Sequence, residues 1–207
     1  MITDLKINAE RKQFYYEKGY WTEKTLGDVW ADRVASHPER TYVSDDQGSS
    51  YTYGEIDDKA ARLAAWLVEQ GVAPGDVVTF QMPTWAEFCI VYVAALKAGA
   101  VMHPLPRNFN DADLVYGMNL VGSRAFICPT KVAKVDFESQ ILSIVDQIPT
   151  LGPVALVDKA APKHSELPTV AEICARYEPI EYPPPITSDD VACIPVSYTH
   201  LTLPTKA

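Results

Sequence analysis

Hydrophobic positions change period several times along this chain, and the changes mark out its elements. Ile56, Ala60, Leu63, Ala64, Leu67 and Val68 recur at helical spacing. Thr52 with Glu55 makes a capping box at the start of that helix, and Gly71 supplies a left-handed residue at its end. The turn A-P-G-D then leads into an apolar strand, Val77–Gln81, which Pro83 breaks. Thr84 with Glu87 reads as a second capping box, opening a helix over Trp85–Ala98. That helix is apolar on most faces, so it is expected to be buried, with Lys97 answering its C-terminal dipole and Gly99 stopping it. The alternation continues with a strand over Ala100–His103, a helix over Asp111–Val121 and a strand over Arg124–Cys128. A helix over Asp136–Gln147 and a strand over Val154–Val157 follow. Thr169 and Glu172 then cap a short helix ending near Tyr177. Strand and helix alternating at these lengths predict an α/β fold, a mostly parallel sheet with helices on both faces.

The flanks are less regular. Residues 1–24 are aromatic and charged and read as an irregular arm packed on the body. A helix is expected from Thr25 to about Ser36, ahead of Pro38, and then a hairpin of Thr41–Ser44 and Ser50–Tyr53 around D-D-Q-G. The proline-stiffened linker E-Y-P-P-P-I-T-S-D-D delivers the chain to a further strand over Val191–Ile194.

Charge and composition narrow the partners. The 207 residues carry a formal net charge of -9 with no run of Lys or Arg, which disfavours nucleic acid and anionic lipid. The longest apolar run, Phe88–Leu96, is too short for a membrane span, and the N-terminus has no secretory h-region. Cys89, Cys128, Cys174 and Cys193 are widely spaced and read as buried free thiols of a cytoplasmic protein. His37, His103, His164 and His200 lack metal-ligand spacing. There is no G-x-G-x-x-G and no G-x-S-x-G.

Three phrases are more specific: Y-T-Y-G-E-I at Tyr51–Ile56, G-V-A-P-G-D-V-V at Gly71–Val78, and A-A-L-K-A-G-A-V-M-H-P-L-P at Ala94–Pro106. In this order they resemble the adenylate-forming (AMP-dependent synthetase/ligase) superfamily, and the resemblance runs from about Thr25 to Ile194. The opening E-R-K-Q-F-Y-Y-E-K-G-Y-W and the V-D-K-A-A-P at Val157–Pro162 are most similar to two branches. One comprises medium-chain fatty-acyl or cyclohexanecarboxylate–CoA ligases, the other the aryl-acid AMP ligases of siderophore synthesis.

The resemblance implies a large N-terminal domain that binds ATP and a small carboxylic acid. The acid attacks the α-phosphorus, pyrophosphate leaves, and a thiol, usually that of CoA, displaces AMP. Activation is needed because a carboxylate oxygen leaves poorly and AMP leaves well. ATP, Mg²⁺ and CoA are the cofactors implied for an intact parent, with fatty acid metabolism as its setting. A non-catalytic nucleotide- or acyl-binding module stands as the alternative from another class.

The resemblance also implies a Gly/Ser/Thr-rich phosphate loop after the strand Val191–Ile194. Here the chain reads P-V-S-Y-T-H-L-T-L-P-T-K-A, with no glycine after Gly152. A phosphate cradle needs closely spaced backbone N–H groups, which glycine makes accessible. Val196–Thr205 looks like a sequencing adapter translated in frame. The expected organisation is therefore an arm at 1–24, a partial AMP-binding N-terminal domain at 25–195 and a non-native tail at 196–207. On this reading the chain is an incomplete, inactive piece that binds none of the three cofactors, and no catalytic, cofactor-binding or metal residue is assigned.

Several residues nonetheless invite a chemical role. Glu55 and Glu87 sit at helix starts, where capping accounts for them, and Asp45 and Asp46 read as turn residues. Trp85 and Phe88 read as core packing before an acyl pocket. His103–Asn110 follows a strand's C-terminal end, where open α/β sheets build ligand sites; it reads either as a plain connection or as a segment near the acyl or nucleotide side, with Arg107 its only basic group other than His103.

Overall fold

The computed structural model describes residues 8–158, 166–181 and 184–195. After α1 (Ala9–Glu17) and α2 (Leu26–Ser36) comes a hairpin of β1 (Thr41–Ser44) and β2 (Ser50–Thr52). The body then alternates: α3 (Tyr53–Glu69), β3 (Val77–Gln81), α4 (Ala86–Lys97), β4 (Val101–Leu105), α5 (Asp111–Val121) and β5 (Ser123–Pro129). A small hairpin of β6 (Lys131–Val132) and β7 (Val135–Asp136) precedes α6 (Phe137–Ile144), β8 (Val154–Val157) and α7 (Val170–Arg176). The main sheet has the order β4-β3-β5-β8, and every pair in it is parallel.

Alternation along the strands divides the core into two. Val78, Phe80, Met102, Ala125 and Ile127 face one side, where they pack with Ile56, Leu63 and Leu67 of α3 and Ile90 and Ala94 of α4. Val170 and Ile173 of α7 join this cluster. Phe126, Cys128, Leu105 and Leu156 face the other side, beneath Leu114 and Met118 of α5 and Ile141 and Ile144 of α6. The predicted mostly parallel sheet covered on both faces is thus what the chain forms.

Local signals explain most boundaries. At α3 the Thr52 hydroxyl accepts from Glu55 N at 3.2 Å, and the Glu55 carboxylate accepts from Thr52 N at 2.8 Å. Those bonds hold the Glu55 carboxyl below its ordinary pKa. Thr25 with Asp28 and Thr169 with Glu172 repeat the arrangement at α2 and α7. Gly71, at φ 87°, turns the chain out of α3 as expected.

Five expectations need correction. Part of the arm is regular: Ala9–Glu17 is a helix, capped by Asn8, with no buried residue. It is tied to the body by the Lys12–Asp189 ion pair and by the Tyr16 and Ser188 hydroxyls, 3.0 Å apart. Thr84 does not cap α4; Trp85 is its N-cap residue and makes no side-chain cap bond, while Asp45 Oδ2 accepts from Ala86 N at 3.0 Å. Val68 is 47% exposed, on the rim of the α3 apolar stripe. The strand over Val191–Ile194 reduces to one parallel bridge between Met102 and Cys193. Of the four thiols only Cys128 is buried; Cys89, Cys174 and Cys193 are half-buried. The segment 196–207, His164 and most of V-D-K-A-A-P lie outside the described residues.

Candidate active-site edge and family

β3 lies between β4 and β5, and the chain leaves its carboxyl end for α4 on one face. From the carboxyl end of β5 it leaves for α6 on the other face. Loops that part to opposite faces open a crevice between neighbouring strands, where open α/β sheets take ligands. At this edge lie Met82–Trp85, the loop after β4 at residues 106–110, and Thr130 with the β6–β7 hairpin.

The β4 loop is fastened from two sides. Gln81, at the end of β3 and 0% exposed, donates from Nε2 to the Pro106 carbonyl at 2.9 Å. Gln140 of α6 donates to Asp111 Oδ1 at 2.9 Å and to the Phe109 carbonyl at 3.4 Å. Phe109 N closes the turn onto Pro106 O at 3.2 Å, and Asn110 caps α5 by accepting from Asp113 N at 3.0 Å. The Oε1 atoms of Gln81 and Gln140 are buried without a hydrogen-bond partner. Arg107 and Asn108 form the exposed tip.

Below this edge a polar column crosses three strands. His103 Nδ1 lies 2.9 Å from Thr79 Oγ1, which also bonds the Ser123 hydroxyl. The register shifts between β3 and β5, from Val77↔Ser123 to Val78↔Ala125, so one extra residue, Arg124, lets Ser123 share the face of Thr79. Burial lowers the His103 pKa to about 4, so the imidazole is neutral near pH 7. At 2% exposure and inside the sheet, His103 is a structural group and not a base offered to substrate.

The other tempting residues resolve as follows. Glu87 does not close a capping box with Thr84; its Oε1 accepts from the Ser49 hydroxyl at 3.2 Å and the Tyr51 hydroxyl at 3.3 Å, tying α4 to the β-hairpin. Lys97 is 9% exposed and its Nζ lies 2.8 Å from Asp57 Oδ1, which also accepts from Trp30 Nε1 at 2.7 Å. The lysine sits in the last turn of α4, as expected, and also pairs with a carboxylate on α3, a pairing that sequence spacing does not reveal. Asp45 keeps its turn role, accepting from Gln47 N and Ser49 N at 3.0 and 2.9 Å. Phe88 packs edge-on to Phe80 with ring centroids 5.3 Å apart, and Trp85 borders the same core.

Whether this edge fits a nucleotide is decided by its backbone. Its bordering loops carry no glycine, and the glycines with positive φ, at 19, 48, 71, 75, 99 and 122, lie elsewhere. Among the described residues no three His, Cys, Asp or Glu side chains gather to hold a metal ion. Among the described residues this edge therefore has neither a glycine-rich turn nor a three-ligand cluster.

The profile of the family described as "AMP-binding enzyme" matches residues 30–199. The chain belongs to this family. Over 167 residues it is 36% identical to the medium-chain fatty-acid–CoA ligase of Escherichia coli K12, an alignment covering 81% of the chain and 30% of that protein. Over 189 residues it is 28% identical to the 2,3-dihydroxybenzoate-AMP ligase of Bacillus subtilis 168, covering 91% of the chain and 33% of the relative. Among solved structures, apo MbtA of Mycobacterium smegmatis superposes with TM-score 0.73 at 27% identity over 86% of this chain and 32% of that one. An anthranilate CoA ligase in complex with anthranoyl-AMP superposes with TM-score 0.74 at 14% identity over 83% and 32%, a likeness of fold alone. The chain thus spans about a third of the length of these relatives. Among the described residues no helix is long and apolar enough to cross a membrane.

Proposed function

We propose that this AMP-binding chain is part of an ATP-dependent acid–CoA ligase acting on a medium-chain or alicyclic carboxylic acid in the cytoplasm. The reaction joins the acid to AMP with release of pyrophosphate, then transfers the acyl group to the thiol of CoA, with Mg²⁺ accompanying ATP. The 36% identity to a medium-chain fatty-acid–CoA ligase across 81% of the chain is the observation that carries this reading. A second reading, an aryl-acid AMP ligase, draws on the longer match to the 2,3-dihydroxybenzoate-AMP ligase, which reaches 91% of the chain.

By itself the 207-residue chain is expected to be inactive, because its described residues lack the glycine-rich turn that would face a triphosphate. The test has two parts. The gene is read past the codon for Ile194, and its product is assayed for acid-dependent exchange of pyrophosphate into ATP with octanoate, cyclohexanecarboxylate, salicylate and 2,3-dihydroxybenzoate. Exchange with octanoate or cyclohexanecarboxylate supports the first reading, and exchange with the hydroxybenzoates alone supports the second. Exchange by the 207-residue chain would overturn the expectation of inactivity.

A further inference from the structure

One buried amide and one half-buried amide are spent on one short loop. Gln81 and Gln140 each donate into the 106–111 segment, from a strand and from a helix that are far apart in sequence. Their orientations are fixed: turning either amide over would set its oxygen against a carbonyl or carboxylate oxygen. Each therefore keeps an oxygen with no hydrogen-bond partner among the described residues. Stability alone does not justify Gln81, since the Pro106 carbonyl it serves also accepts from Phe109 N. A methionine of similar volume would fill the space without the orphan. Rules of local satisfaction are broken in this way mainly at functional positions.

What the two amides hold out is Arg107. It is exposed at the carboxyl edge of the sheet, and no carboxylate of the described residues forms an ion pair with it. A guanidinium on a loop fixed at both ends is preorganised for a planar oxyanion. We infer that the 106–110 loop is a ligand-contact loop, that Arg107 at its tip binds an oxyanion, carboxylate or phosphate, and that Gln81 and Gln140 are the positioning residues that keep it ready. This deepens the proposed ligase reading, on which it rests only for the kind of anion.

The test is a titration of the ¹⁵N-labelled 207-residue chain with sodium octanoate, sodium benzoate and sodium pyrophosphate in separate arms. Saturable shifts centred on residues 106–110 and the Arg107 Nε–H, in the millimolar range, are expected. The arm that gives them distinguishes a carboxylate from a phosphate source. Arg107→Gln should weaken binding roughly tenfold or more, the worth of a charge-assisted pair. Gln81→Met should weaken binding while its unfolding midpoint stays equal to or above that of the parent chain, because a buried orphan is removed. A purely structural Gln81 predicts the reverse, a lowered midpoint with binding intact. That result, unchanged affinity in Arg107→Gln, shifts centred elsewhere or saturation in no arm would each overturn the inference. Since the readout is binding by this chain, it can fail while the gene product still exchanges pyrophosphate, and the converse also holds.

Discussion

The two faces of the central sheet are built differently. On the α3/α4 face the helices are rich in alanine, and Ala60, Ala64, Ala94 and Ala95 let them close tightly over Phe80 and Met102 with little left exposed. On the α5/α6 face the sheet itself carries polar groups, Thr79, Gln81, His103 and Ser123, all buried. There the covering helix α5 is apolar on its outer side too: Tyr116 is 70% and Leu120 65% exposed. One face spends its residues on packing, while the other spends several on hydrogen bonds that run toward the carboxyl edge. Stability and site-building are thus divided between the two sides of one sheet.

That division can be broken or sharpened by substitution. Leu63→Ala, at a wholly buried position on α3, is expected to cost roughly 2–5 kcal/mol in urea unfolding. A cost below about 1 kcal/mol there would deny the α3/α4 face its role as the main core. Acid should act on the opposite face. His103 has a pKa of about 4 in the fold against 6.5 for the free side chain, so the unfolded chain takes up its proton first. The stability this contributes is complete above about pH 6.5 and is lost as pH falls toward 4, by about 3 kcal/mol at most. His103→Gln should flatten that slope in unfolding curves recorded from pH 7 to 4.5. Asp57→Ala strips the carboxylate from Lys97 and Trp30 and should cost about 2 kcal/mol, seen as a lower urea midpoint with unchanged slope. Thr52→Ala should cost about 1 kcal/mol through the lost cap of α3. Leu120→Ala, on the outer side of α5, should stay within about 0.5 kcal/mol, and a larger loss would mean that α5 is covered in solution.

Legibility in the sequence followed the range of the interactions. The α3 boundaries and the strands at Val77–Gln81 and Val154–Val157 were readable because caps, glycine and β-rich runs act within a few residues. The Thr84–Glu87 box failed because distant groups won: Asp45 reached Ala86 N, and Ser49 with Tyr51 drew the Glu87 carboxylate to the hairpin. Lys97 is legible as a cation in the last turn of α4, but its partner Asp57 lies on another helix, beyond local spacing. The β6–β7 hairpin, two residues a side with Ala133 at φ 52°, offers no run long enough to detect. The stretch His103–Asn110 was legible as a position at a strand's end, but the two glutamines that fix the loop lie in β3 and α6, beyond any local pattern.

Asp45 shows how much can ride on one side chain. One oxygen folds its own turn through Gln47 and Ser49, and the other rivets that turn to the first amide of α4. The hairpin tip and the helix start consequently behave as one mechanical part. Trimming the tip would strip the helix start, 41 residues downstream, of that acceptor.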